Sequence, residues 1–90
     1  MSQETSPFRN LVQLRELPIV VRSDGEEFVS CFVEANLGAS GETISVAIEN
    51  LKDLIASVFM KYSSLPAAQL GPGPTKQLVV LKQFVSAATK

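Results

Sequence analysis

The sequence predicts an α+β fold: a small antiparallel sheet of about three strands packed on one long amphipathic helix, plus a C-terminal helix or strand. Two apolar, β-prone runs at residues 17–21 and 27–34 flank the turn signal Ser23-Asp24-Gly25, which reads as a hairpin. From Ile44 to Tyr62, apolar residues recur every three and four positions, the period of a helix that buries one face. At 90 residues the chain makes one domain, expected over 11–90 behind a polar, flexible stretch at 1–10.

The elements follow in order. Leu17-Pro18-Ile19-Val20-Val21 is β-branched, and Pro18, having no amide hydrogen, belongs at the strand's start or on a sheet edge. In EFVSCFVE, Phe28, Ser30 and Phe32 fall on one face and Val29, Cys31 and Val33 on the other. Both faces carry apolar groups, so both are expected to be covered, one by the helix and one by another subunit. Ala35-Asn36 makes a second bend before a short third strand at 37–40. Thr43 is placed to cap the helix, its hydroxyl accepting from a first-turn amide. Residues 63–74 read as a linker ending in LGPGP, and 75–90 as a second helix with proline near its first turn. A strand is the alternative there, because Leu78-Val79-Val80-Leu81 is β-prone.

Composition narrows the function. Eight basic and nine acidic residues give a net charge of −1, and the basic ones form no stripe that would follow a phosphate backbone. Nucleic acid is therefore an unlikely ligand for this chain alone. No apolar run reaches membrane-spanning length, and Cys31 is the single cysteine, so a cytoplasmic location is expected. With 46% hydrophobic and 19% charged residues, so small a domain has more apolar surface than one core hides, and a homodimer or tetramer is expected.

Catalysis finds no support. The chain has no histidine, which removes imidazole bases and most zinc sites. Cys31 reads as a small buried hydrophobe with nothing to activate it. Glu26 and Glu27 are adjacent on a strand and point to opposite faces. Gly71-Pro72-Gly73-Pro74 lacks the amides of a phosphate loop. No catalytic residue, metal ligand or cofactor is expected.

The motif Gly41-Glu42-Thr43, opening a helix that continues with Ala47 and Asn50, resembles the HicB-like antitoxin family. There a short strand ends in G-[DE]-T, and the threonine caps a helix of the form T-x-x-E-A-x-x-N. The similarity spans residues 17–62. The usual capping-box glutamate is Val46 here, and the family's P-D-L-P-G turn is replaced by Glu34-Ala35-Asn36-Leu37-Gly38. The tail after Pro66 is too short for the DNA-binding domain that many such antitoxins carry. The resemblance implies a non-catalytic protein that blocks a small, basic, HicA-type RNA-cleaving toxin by contact. The alternative is a stand-alone oligomeric adaptor without a toxin.

Two sets of candidate residues follow. Asp24, Glu26, Glu27 and Glu34 are candidates for meeting a basic partner. Val29, Cys31, Val33, Val46, Met60, Leu78, Leu81 and Val85 are candidates for an oligomer interface.

Overall fold

The computed structural model describes residues 11–87. The flexible stretch expected at 1–10 lies outside the described residues. The fold is α+β, as expected, with two antiparallel sheets and two α-helices. The strands are β1 (Leu11–Gln13), β2 (Ile19–Asp24), β3 (Glu27–Phe32), β4 (Leu37–Gly41) and β5 (Val85–Ala87); the helices are α1 (Ile44–Ser63) and α2 (Pro72–Lys82). One sheet has the order β2-β3-β4, and the other joins β1 to β5.

A two-residue loop, Gly25-Glu26, closes the β2–β3 hairpin, with Asp24 paired to Glu27. Gly25 takes a φ of 69°, which suits the glycine-favouring first central position of a type II′ turn. β3 ends at Phe32, two residues earlier than its apolar pattern suggests. Residues Val33–Ala35 curl into a 3-10 turn, and Asn36 takes a left-handed φ of 58° to enter β4. Asparagine tolerates that region because its short polar side chain can bond locally.

One face of the β2-β3-β4 sheet packs on α1. Ala47, Leu51, Ile55 and Phe59, spaced by four, are buried along the helix, and Phe32 is buried beneath them. Ser30, also fully buried, donates its hydroxyl to the α1 carbonyl of Ala47 at 2.7 Å and lies 3.2 Å from Ala39 O. A polar group without such a partner would make this site costly. Ile44, counted in the apolar stripe from its spacing, is the first residue of α1 and is 50% exposed.

The C-terminal segment is helix and then strand. α2 starts at Pro72, so the linker ends at Gly71, three residues earlier than expected, and itself holds a 3-10 turn at Ala67–Gln69. Pro72 at the first helical position gives up an amide that would have no intrahelical partner. The β-prone Leu78–Leu81 stretch is helical because Leu78 and Leu81 reach the core from one side of α2. β5 then pairs with β1 in the register Leu11↔Ala87, Val12↔Ser86, Gln13↔Val85.

Three residues expected at an oligomer interface are thereby corrected. Leu78, Leu81 and Val85 lie in the chain's own core, together with Phe32, Leu51, Ile55, Phe59 and Phe84. α2 folds back over the end of α1 and uses their apolar surface within the chain.

Candidate interaction surface

The Gly41-Glu42-Thr43 motif builds the corner where β4 passes into α1. A Cβ on Gly41 would lie 2.6 Å from Ala47 N and 2.9 Å from Val46 C, so only glycine lets the helix start approach the strand this closely. Thr43 Oγ1 accepts from Val46 N at 3.0 Å, closing the first turn in spite of the missing capping-box glutamate. Ala47 is fully buried over Ser30, where a larger side chain has no room. Asn50 Nδ2 donates to Ser40 O at 2.8 Å, tying the helix to the edge of β4. Four of the five motif residues therefore have a local structural task, and Glu42 is exposed. Thr43→Ala should cost about 1 kcal/mol, read as a shift in the urea midpoint; an unchanged midpoint would mean the hydroxyl is not the cap.

The other face of the β2-β3-β4 sheet is open. Among the described residues, α1 is the element packed broadly on these strands, and it lies on the opposite side. The pairing places Val20 beside Cys31 and Gly38, and Arg22 beside Val29 and Ser40. Val20 is 57% exposed and Val33, just past β3, 68%; Val29 and Cys31 are half-buried. Cys31 is thus a member of the open face and not the core residue its small apolar character suggested. Val20 is absent from the sequence-derived candidates. The two-residue turn contains the signal that finds it, because closing Asp24 on Glu27 sets Val20 against Cys31. Val46 and Met60 are exposed on α1, on the far side of the sheet from this face.

The acidic candidates divide into two places. Asp24, Glu26 and Glu27 gather at the hairpin tip, all exposed. Glu34 stands at the opposite end of β3, which at roughly 3.3 Å per residue is ~17 Å away or more. There it borders a cleft of about 420 Å³ with Asn36, Tyr62, Pro74, Lys76 and Gln77. Gln77 Nε2 donates to Ala35 O at 2.7 Å across the cleft floor. A shallower groove of about 680 Å³ runs past Leu70, Thr75 and Val79 on the same helix start. Pro72 and Pro74 have no amide hydrogen and Thr75 N is bonded to Gly71 O, so the start of α2 offers little to an anion. No group of three or more Cys, Asp or Glu among the described residues is placed to hold a metal ion.

Among the described residues, no helix is long and apolar enough to cross a membrane. No protein-family model, curated protein or solved structure matches the chain.

Proposed function

We propose that this chain is a non-catalytic, self-associating protein-binding domain of HicB-like type, acting in the cytoplasm. The observation that supports it is the open sheet face, where Val20, Val29 and Cys31 share one side of the strands and, among the described residues, no second layer lies over them. The outer face of an antiparallel sheet is commonly polar and solvated, so apolar side chains gathered on it favour a place of contact. The hairpin tip, with Asp24, Glu26 and Glu27 exposed together, suits a basic partner and would speed encounter with it. On the HicB resemblance that partner is a small HicA-type RNA-cleaving toxin that brings its own catalytic groups.

The second reading, a stand-alone adaptor, stays open on a specific observation. Gly41, Thr43, Ala47 and Asn50 are each accounted for by the strand-to-helix corner, so the motif speaks for the fold and is silent on a toxin.

Co-expression with the product of an adjacent gene separates the two. Relief of growth arrest and co-elution with a small basic protein are expected for an antitoxin. Separate elution and unrelieved arrest leave the adaptor. Where a basic partner binds, reversing Asp24, Glu26 and Glu27 to lysine should slow association at least tenfold and flatten its salt dependence. An unchanged rate removes the hairpin tip from the interface. Light scattering at micromolar concentration should show a dimer or larger; a monomer would overturn self-association.

A further inference from the structure

β1 is the least anchored strand of the fold. It pairs with β5 over three residues, and Leu14 N donates to Phe84 O at 2.7 Å. The Arg15 guanidinium sits 5.2 Å from the centre of the Phe84 ring. Of the β1 side chains, Leu11 packs against the core, while Val12 is 46% exposed; Leu14, just past the strand's last residue Gln13, is 54% exposed. Its seat is the opposite case: Phe84 and Val85 are buried and belong to the core cluster.

This asymmetry has a physical consequence. A two-stranded ribbon is marginally stable alone in water, so β1 belongs to the segments that open at low cost. When it leaves, the edge of β5 and the Phe84 ring are uncovered. The segment that fits them best is another strand of the same sequence in the same register, since every bond described above is reproduced.

The connection from β1 to β2 favours that outcome. Residues 14–18 must turn the chain between two sheets, and Ile19 N closes back on Leu17 O at 2.9 Å. Pro18 holds its own φ and drives Leu17 towards an extended backbone. Exchange of a terminal element between identical chains requires only that such a hinge open, because the contacts it makes are the same in either chain.

We infer that β1 is exchanged between two copies, each donating residues 11–13 to the β5 of the other. The inference rests on the self-association proposed above and adds a link between the copies through the β1–β5 sheet, away from the open face.

Facing residues Val12 and Ser86 report the exchange. The full chain carrying Cys31→Ser, Val12→Cys and Ser86→Cys would be oxidised at micromolar concentration and run on a non-reducing gel. Exchange predicts a covalent dimer as the main product, with Val12→Cys alone as the control for random coupling. A cross-linked monomer overturns the exchange. If the chain with no substitution scatters as a dimer, that result leaves self-association standing; a monomer by scattering overturns both. A second variant keeps β1 intact, in case the cysteines disturb folding: four residues, Gly-Gly-Ser-Gly, inserted between Arg15 and Glu16. A longer, flexible hinge favours the pairing of β1 with its own β5 that the single chain makes, so the dimer dissociation constant should rise at least tenfold. An unchanged constant overturns the exchange.

Discussion

Phe32→Ala should destabilise the fold by about 3–5 kcal/mol, the range for removing a buried aromatic ring from a core. Phe32 is fully buried under α1, and its ring meets Phe84 edge-on at 5.2 Å with an interplanar angle of 89°. It is one contact through which the three-stranded sheet and the C-terminal segment share a core. In a domain of this size each kcal/mol moves the thermal midpoint by roughly 4–8 °C, so a fall of at least about 12 °C is expected. Small domains are only marginally stable, and a loss of this size from a total near the usual lower bound of about 5 kcal/mol leaves the variant partly unfolded at 37 °C. Phe32→Leu keeps most of the volume and should lose less than half as much. A loss below about 1 kcal/mol for Phe32→Ala would place the ring outside the cooperative core. Phe84→Ala and the double variant then give the coupling of the two rings, expected at about 0.5–1.5 kcal/mol.

Gly41→Ala should be the most damaging single-methyl change in the chain. The added Cβ would meet Ala47 N at 2.6 Å, Val46 Cγ1 at 2.7 Å and Val46 C at 2.9 Å. Two of these are backbone atoms of the first turn of α1, which cannot rotate away as a side chain can. Relief requires the helix start to move off β4, which would strain the Asn50–Ser40 and Ser30–Ala47 hydrogen bonds. Overpacking of this kind costs about 1–3 kcal/mol and more where backbone must shift. Gly38→Ala is the matched control on the same strand. Its nearest contacts are Ser30 O at 3.4 Å and Cys31 Sγ at 3.7 Å, so its urea midpoint should move little. Equal losses at the two glycines would mean that strand propensity, and not the approach of α1, sets the cost at Gly41.

Local signals in the sequence determined the hairpin, the capped start of α1 and its buried stripe. Each depends on residues within a few positions of one another: Gly25 in the turn, Thr43 at the cap, and Ala47, Leu51, Ile55 and Phe59 spaced by four. The open sheet face was legible in part, because the alternation of Val29, Cys31 and Val33 follows from strand geometry alone. What only the tertiary structure decided involves partners far apart in the chain. β1 and β5 are three-residue strands without a period long enough to detect, and each exists because the other, at the opposite end of the described chain, supplies its hydrogen bonds. Leu78, Leu81 and Val85 have the same apolar character whether they face a second subunit or their own core. The return of α2 over α1 made them core residues, since burying them within the chain needs no second molecule. The acidic residues likewise form one group in composition and two in space, because β3 separates Glu34 from the hairpin tip by its full length.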